Sequence, residues 1–415
     1  MTTCHPMRPT PPRSGVLHLI TDPRPRGAQV FAHELHRELR VRGWNSRIAA
    51  LAPQDDGIPP GGSAATAPVS DPAEAASASV RDVAVLGPTR MHPRTLRALR
   101  RATAGAGVVV AHGSTTLPAC ALALAFRRTP FVYVNIGDPR HWAARLDQRL
   151  RVGAMLRRAA MTASVSPTGR DLLVARYRLP AAKVRAIPNG RRPEAYPRAD
   201  AASRAAARKE LGIPDDAVVI AVVGALSREK RVGLAIEGFA RHLDGITRAA
   251  ANADPSDLRQ RELPDAAPLL LVAGDGPERA ELAALADRRA PGRVRFLGTV
   301  DDAAPVYRAA DALLLTSASE GVPGVLVEAG LSGIPAAATD VGFVRDVVLD
   351  GRTGALAASG DPGAVAAAIG RAVAHRDAWG AAAYEHCTRA FAMEAVVGAW
   401  EELLQSVMAE APASS

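Results

Sequence analysis

The stretch Glu320-Gly-Val-Pro-Gly-Val-Leu-Val-Glu328 places two carboxylates eight residues apart around a glycine-rich turn. An apolar run at 312–315 and a polar lead-in at 316–319 precede it, and an apolar pattern suited to a helix follows. A strand, a turn and a helix start predict an anion site, because free backbone N–H groups and the positive helix end favour phosphate. The flanking carboxylates are suited instead to accept hydrogen bonds from hydroxyls, as on a sugar or a ribose. This pattern predicts a sugar-nucleotide pocket.

Length and composition limit the class of protein to which the chain can belong. Its 415 residues are enough for two domains, and 48% of them are hydrophobic. No apolar run is long enough to cross a bilayer. Residues 1–14 contain four prolines and no apolar core, so we expect a disordered tail rather than a signal peptide. The scattered Cys4, Cys120 and Cys387 form neither a disulfide framework nor a metal knuckle and indicate reduced thiols in a cytoplasmic protein.

Charge is unevenly distributed along the chain. Residues 1–200 hold 30 Lys+Arg and 13 Asp+Glu, a net +17, whereas residues 201–415 hold 21 and 29, a net −8. Such asymmetry can mark a half that meets an anionic membrane or acceptor. The competing explanation is compositional, since the chain is rich in Arg and Ala throughout. No aromatic interleaving or known module indicates nucleic-acid binding.

Strands alternate with helices twice along the chain, which predicts two successive α/β units with parallel, doubly wound sheets. The seam lies near 189–214. We expect a first domain at 15–195, a second at 212–390, and a helix at 391–410 that is a candidate for crossing back to the first. Residues 53–79 are rich in Pro, Gly, Ala and Ser and predict a mobile loop. A helix is expected at 231–240, with a polar loop at 244–266.

Eight motifs occur in an order that resembles glycosyltransferase family 4, the retaining GT-B enzymes also called glycosyl transferases group 1. The resemblance spans roughly 15–405 and implies two facing Rossmann-like domains with a cleft between them. The first domain would lie on the acceptor side and the second would bind a nucleotide-sugar. The motifs are the first strand at 16–20 with the loop at 26–29, Ala-Ser-Val-Ser at 163–166, Ile-Pro-Asn-Gly at 187–190, the loop at 223–230, Ala-Gly-Asp-Gly-Pro at 273–277, Phe-Leu-Gly at 296–298, the paired glutamates, and Asp-Gly-Arg-Thr-Gly at 350–354.

The resemblance implies a role for each part of the donor site. Glu320 would contact the donor sugar, Glu328 would hold the ribose hydroxyls, and the residues between them would bring backbone N–H groups to the phosphates. Lys230 would neutralise the departing diphosphate, whose charge grows as the glycosidic bond breaks. The loop at 298–302 would hold the base. The implied catalytic residues are Glu320 and Lys230, and the implied donor-binding residues are Gly27, Gly224, Arg228, Lys230, Val300, Asp302, Glu320, Gly321, Val322, Pro323, Gly324, Val325 and Glu328.

Plain structural alternatives stand beside these roles. Lys230 could be a solvated surface lysine, Glu328 a surface carboxylate on a helix, and Glu320 a simple partner of a helix dipole. The family usually has arginine where this chain has Ala225. Arg228, three residues further on, is the proposed replacement.

The acceptor side departs further from the family. Gly27 would let the backbone approach the donor phosphate or the acceptor, but Arg26 stands where the family often has another glycine. Asn135 occupies a position where many members carry histidine, and it cannot donate a proton as imidazolium can. His112 and Asp138 are the remaining acceptor-side candidates, although a lone histidine is more often structural.

The chain contains no Asp-x-Asp motif of the kind that holds a divalent cation on a diphosphate, and Asp301-Asp302 are adjacent rather than spaced. We therefore expect no metal and no other cofactor beyond the nucleotide-sugar cosubstrate. Charge neutralisation would fall to Lys230 and to helix N-termini.

These features predict a retaining glycosyltransferase of the hexosyltransferase type that moves a sugar from a UDP- or GDP-sugar to an acceptor hydroxyl, in glycan, glycolipid or natural-product biosynthesis. The acceptor is either lipid-linked at a membrane or soluble. The basic stretch 141–158, with one Trp and five Arg, would suit peripheral contact with the inner face of an anionic membrane. The alternatives are a GT-B sugar phosphorylase or epimerase-type enzyme, and a degenerate module that binds sugar nucleotides without turnover.

Overall fold

The computed structural model describes residues 13–24, 27–53, 83–142, 145–252 and 268–410, and its strands build two separate parallel sheets. Elements are numbered here in chain order among the described residues. The seven strands of the first sheet run in the order β3-β2-β1-β4-β5-β6-β7. They are β1 (Arg13–Ile20), β2 (Trp44–Ala50), β3 (Ala84–Val85), β4 (Ala106–His112), β5 (Phe131–Asn135), β6 (Met161–Ser164) and β7 (Val184–Ala186).

The second sheet has six strands in the order β10-β9-β8-β11-β12-β13, again all parallel. In both sheets the strand order reverses beside the first strand, which is the doubly wound arrangement expected from alternating strands and helices. The strands are β8 (Val219–Val223), β9 (Leu269–Ala273), β10 (Val294–Gly298), β11 (Ala312–Leu315), β12 (Ala336–Thr339) and β13 (Gly354–Ala357).

Helices cover both faces of each sheet, so the central strands can be continuously apolar, as parallel strands buried on two sides usually are. Short 3₁₀ turns lie at Pro139–His141, Ala181–Lys183, Pro193–Ala195 and Val344–Asp346. The α-helices are α1 (Gly27–Val41), α2 (Pro93–Ala102), α3 (Thr116–Ala123), α4 (Leu146–Arg158), α5 (Pro167–Tyr177), α6 (Ala201–Glu210), α7 (Val232–Ala251), α8 (Arg279–Arg289), α9 (Ala304–Ala309), α10 (Gly324–Leu331), α11 (Pro362–Ala374), α12 (Arg376–Phe391) and α13 (Met393–Glu410).

The last helix, α13, packs on the first sheet rather than on the second. Its Trp400 is fully buried in a cluster with Phe31 of α1, and the two ring centroids are 6.5 Å apart. Glu401 accepts a hydrogen bond of 2.7 Å from Trp44 Nε1 and pairs with Arg42 at 3.0 Å. At α13 the chain therefore returns to the first sheet.

Two sequence-based expectations need correction. Residues 244–251 were expected in a polar loop but continue α7, because Leu243 still packs on the core and the Ala-rich end of the helix has high helix propensity. Arg13 and Ser14 were assigned to the tail but belong to β1, where Arg13 pairs with Trp44. The rest of the expected tail, residues 1–12, lies outside the described residues, as do 54–79 of the expected mobile loop and 253–266 of the expected polar loop.

No helix within the described ranges has both the length and the apolar character needed to traverse a bilayer.

Replacing Trp400 by Ala should destabilise the first domain, because a large buried side chain is lost and its site cannot fully collapse. We expect the free energy of unfolding to fall by about 3–5 kcal/mol, measured by urea denaturation followed by circular dichroism. Glu402, largely exposed on the same helix, offers the matched control: Glu402→Ala should change the unfolding free energy by less than about 0.5 kcal/mol. Equal effects of the two substitutions would contradict the packing of α13 on the first sheet.

Candidate functional site

The segment 320–328 lies where the order of the second sheet reverses. Strands β8 and β11 are neighbours there, and their carboxyl ends lead into the loops at 224–231 and 316–323. Thr316 ties these loops together, since its hydroxyl donates to the carbonyl oxygen of Arg231 at 2.9 Å. The Ala318 N–H also donates to Glu229 O at 2.8 Å. Ligands of open α/β sheets bind at such switch points, outside the carboxyl ends of the strands.

Lys230 and Glu320 form a nearly buried ion pair at this switch point. Lys230 Nζ lies 2.7 Å from Glu320 Oε1, and the two side chains are 12% and 3% exposed. The alternative of a solvated surface lysine is therefore wrong. Glu320 also precedes α10, which begins at Gly324, so it does not sit in the first turn of that helix. The pair places a cation and a carboxylate together at one end of the segment.

Glu328 is held at the other end of the segment by two partners. Its Oε1 accepts a bond of 2.9 Å from Arg191 Nε, and its Oε2 accepts one of 2.8 Å from the Tyr307 hydroxyl. Burial raises the pKa of Tyr307 well above its ordinary range and the Glu328 carboxylate adds to this, so the hydroxyl stays protonated and donates. Glu328 is only 1% exposed, so the alternative of a surface carboxylate is wrong.

The turn between the two carboxylates is shaped by close backbone contacts. Gly342 adopts φ +54°, and a Cβ there would collide with the carbonyl oxygen of Glu320, so only glycine fits. A Cβ at Gly321 would lie 2.8 Å from the carbonyl oxygen of Ile136, which belongs to the first domain. No side chain caps the N-terminus of α10 at Pro323, and its first N–H groups are the ones that an anion could bind.

The other donor-side candidates differ in their position relative to this site and in what their side chains contact. Gly224, with φ +148°, directly follows β8 and begins the loop that carries Lys230. Val322, Val325 and Val300 pack against the core of the second domain, and Pro323 is buried. Asp302 accepts a bond of 2.8 Å from the Ala304 N–H at the start of α9. Arg228 is not brought into the site: its side chain is 99% exposed, and its nearest acidic partner is Glu278 at 4.0 Å.

The acceptor-side candidates lie at the carboxyl ends of the first sheet. Gly27 is the first residue of α1. Asn135 ends β5 fully buried, and neither its amide oxygen nor its amide nitrogen has a hydrogen-bond partner among the described residues. Asp138 caps the turn that follows and pairs with Arg140 at 2.6 Å. Arg26 lies outside the described residues.

His112, at the end of β4, is half of a buried histidine pair. Its Nε2 lies 3.0 Å from His18 Nδ1, and the two rings stack with their centroids 5.3 Å apart. His36 approaches His18 edge-on, with ring centroids 6.0 Å apart. Burial lowers the pKa of His112 to about 3 and that of His36 to about 4, and it lowers the pKa of His18 well below its ordinary value. These rings are therefore neutral at pH 7. Within the described ranges, no group of three or more His, Cys, Asp and Glu residues could hold a metal ion.

Three site residues were missed from the sequence: Arg191, Tyr307 and His18. Arg191 and Tyr307 contact Glu328 although they are 137 and 21 residues away from it in sequence, and no local pattern indicates either contact. Arg191 directly follows the Ile-Pro-Asn-Gly motif, and this position was the available signal. His18 lies within an apolar strand, where a polar residue at a buried position marks a candidate.

Known proteins resemble the chain in both halves. Residues 26–190 match the family model described as Glycosyl transferase 4-like domain, and residues 217–375 match the model described as Glycosyl transferases group 1. The structure of Anabaena HepE in complex with UDP superposes with a TM-score of 0.75 at 19% identity, covering 94% of this chain and 100% of that one. The two parallel sheets and their switch-point site therefore define the GT-B class of fold.

Curated relatives are more similar in sequence. D-inositol 3-phosphate glycosyltransferase of Geodermatophilus obscurus is 34% identical over 209 residues, which are 50% of this chain and 42% of the relative. The lipopolysaccharide core biosynthesis glycosyltransferase LpsE of Rhizobium meliloti is 30% identical over 203 residues, 48% of this chain and 53% of the relative. The chain thus spans about half the length of these relatives. With the two family models, they show that it belongs to glycosyltransferase family 4.

The lowered pKa values of the buried His18 and His112 make the free energy of unfolding depend on pH. Their pKa values are lower in the folded protein than the usual 6.5, so the unfolded chain binds more protons below that pH and the folded state loses stability as the pH falls. We expect His112 alone to cost about 2 kcal/mol between pH 6.5 and pH 5, measured by urea denaturation. His112→Gln should flatten this dependence, whereas His375→Gln, at an exposed site, should leave it unchanged. An unflattened curve for His112→Gln would refute the buried neutral pair.

Proposed function

We propose that this protein is a glycosyltransferase that moves a sugar from a nucleotide-sugar donor to an acceptor hydroxyl. The observation that carries the proposal is the arrangement around α10: a buried carboxylate at each end, a cation beside each carboxylate, and a helix N-terminus without a side-chain cap between them. The carboxylates suit the hydroxyls of a donor, and the helix N-terminus and cations suit its phosphates. The UDP complex of HepE, which has the same fold, supports a nucleotide donor.

Each residue would have a separate role in donor binding. Glu320 would accept hydrogen bonds from the sugar hydroxyls, and Glu328 from the ribose, since each carboxylate oxygen has a second lone pair beyond its present partner. The N–H groups of Gly324 and Val325 would bind the diphosphate. Lys230 would turn from Glu320 toward the departing phosphate as its charge grows. Gly27, at the N-terminus of α1, would approach the same phosphates from the first domain.

We propose that transfer retains the anomeric configuration. The bond from the anomeric carbon to the diphosphate oxygen breaks, and the acceptor oxygen bonds to the same face of that carbon. The departing phosphate oxygen takes the acceptor proton, so no protein nucleophile is required. Charge on the diphosphate would be neutralised by Lys230 and the α10 N-terminus, without a metal ion.

Nucleotide binding is the first test. A thermal-shift panel of UDP, GDP, ADP and TDP should identify one base, because a ligand at a hundred times its dissociation constant stabilises by about 2.7 kcal/mol. With the matching nucleotide-sugars, slow hydrolysis should be measurable and should fall at least about a hundredfold in Glu320→Ala and Glu320→Gln. Glu281→Ala, at an exposed position on α8, is the matched control and should keep full activity. Binding without turnover of any sugar would favour a degenerate sugar-nucleotide module, and release of sugar 1-phosphate from a glycan by inorganic phosphate would favour a phosphorylase.

The acceptor is either soluble or held at a membrane. The relatives named above are, by their names, an inositol phosphate glycosyltransferase and a lipopolysaccharide core enzyme, so they support neither alternative alone. Helix α4 favours peripheral membrane contact, because Leu146 and Leu150 lie one turn apart and are 67% and 65% exposed. Exposed Arg145 and Arg151 lie next to them in the chain, a combination suited to an anionic lipid surface.

Vesicle sedimentation tests the membrane alternative. The protein should bind vesicles that contain anionic lipid at low salt, and the double substitution Leu146→Ser/Leu150→Ser should weaken binding about tenfold, because two apolar side chains no longer enter the interface. Val41→Ser is the matched control, since Val41 is 78% exposed on α1 and lies outside α4. If the unmodified protein does not bind such vesicles, the membrane alternative is rejected and a soluble acceptor is favoured.

A further inference from the structure

Each carboxylate that flanks the turn has its own cation. Lys230 pairs with Glu320 at 2.7 Å, and Arg191 pairs with Glu328 at 2.9 Å. A diphosphate that approached the turn would meet two buried negative charges, one at each end. If only one carboxylate had a cation, the other would repel the diphosphate. The position of Arg191 beside Glu328 therefore matters for the proposed function.

The backbone of Arg191 is fixed where the chain crosses between the domains. Its N–H donates to Phe391 O at 2.8 Å, and its carbonyl oxygen accepts from the Met393 N–H at 2.8 Å. Residue 191 is therefore attached to the junction of α12 and α13, where the chain returns to the first domain. Its side chain leaves this anchored backbone toward α10 and is 17% exposed.

The guanidinium of Arg191 lies over the first residue of α10. A Cβ built on Gly324 would collide with Nη2 of Arg191 and would lie 3.2 Å from its Cζ. Nε donates to Glu328 and Nη1 donates to Gly190 O at 3.1 Å. Among the described residues, none accepts a hydrogen bond from Nη2. One nitrogen of the planar fork is thus left beside the N–H groups at which an anion would bind.

The charges around Arg191 keep it protonated. Burial lowers its pKa, but attraction to the carboxylates of Glu328 and of Glu34 on α1 outweighs burial, and the net shift raises the pKa. The neighbouring alternatives do not supply this cation. Arg228 faces solvent, and Ala225 has no charge.

We propose that Arg191 is a donor-binding residue: its Nη2 binds the diphosphate at the N-terminus of α10, while its Nε keeps the Glu328 carboxylate in place for the ribose. This inference rests on the proposed function, because it assigns a further residue to the same donor site. It places a cation from the interdomain segment on the donor, beside Lys230 from the second domain.

Calorimetric titration of Arg191→Gln and Arg191→Lys with UDP and with uridine tests the proposal. If the thermal panel selects guanine, GDP and guanosine replace them. Loss of a charge-assisted hydrogen bond should weaken UDP binding by about tenfold to a hundredfold in Arg191→Gln. Uridine has no phosphate, so its affinity should fall by a clearly smaller factor. Arg248→Gln, exposed on α7, is the matched control and should bind both ligands as the unmodified protein does.

The outcomes separate the two proposals. Equal loss of UDP and uridine affinity would show that Arg191 acts only by positioning Glu328, and unchanged UDP affinity would exclude any role; either result overturns the inference alone. If the unmodified protein binds none of the four nucleoside diphosphates, the proposed function fails and the inference fails with it. If Arg191→Gln does not fold, Arg191→Lys provides the test, because it keeps the positive charge but loses the planar guanidinium. Its UDP affinity should again fall by a larger factor than its uridine affinity. Equal factors would overturn the inference.

Discussion

Burying a carboxylate is costly unless a cation and hydrogen bonds surround it, and the segment 320–328 buries two. Glu320 depends on Lys230, which the carboxyl end of β8 delivers. Glu328 depends on Arg191 and Tyr307, from the interdomain segment and α9. The site can therefore form only when the second sheet, its covering helix and the connection to the first domain are all in place. The candidate site therefore depends on the whole second domain and on the interdomain segment, and not only on the segment 320–328.

The two domains also meet directly at this segment. Gly321 approaches the carbonyl oxygen of Ile136, and Thr168 of α5 donates to Asp346 of the second domain at 2.8 Å. Ile136 directly follows Asn135, the last residue of β5, so the strand end with the unpartnered amide lies beside the loop that carries Glu320. Any relative movement of the domains would change the surroundings of both side chains at once. This couples the two halves of the cleft through backbone contacts as well as through Arg191.

Much of this architecture follows from local pattern. The apolar strands alternating with helices predicted two α/β units, and the fold of known glycosyltransferases confirms the GT-B class. The paired glutamates and Lys230 were identified because a turn, a helix start and a cation lie close together in the chain. Arg191, Tyr307 and His18 were not, because their partners are distant in sequence and only the folded chain brings them together. Arg228 is a case in which nearness in sequence misled the prediction. It lies three residues after Ala225, but its side chain faces solvent and not the site. The helix at 232–251 extends beyond the end that its apolar pattern predicted, because an alanine-rich sequence can continue a helix without further burial.

Helix α13 has a consequence for how the chain acquires its structure. The cluster around Trp400 and Phe31 joins one residue to another that the ribosome adds much later. The strands of the first sheet are therefore translated before α13, and the part of its apolar face that α13 covers stays open until that helix has emerged from the ribosome. Domains of many proteins fold in the order in which they are made. Here the core clusters of the second domain contain no residue of α13, so that domain can close before the first sheet is fully covered.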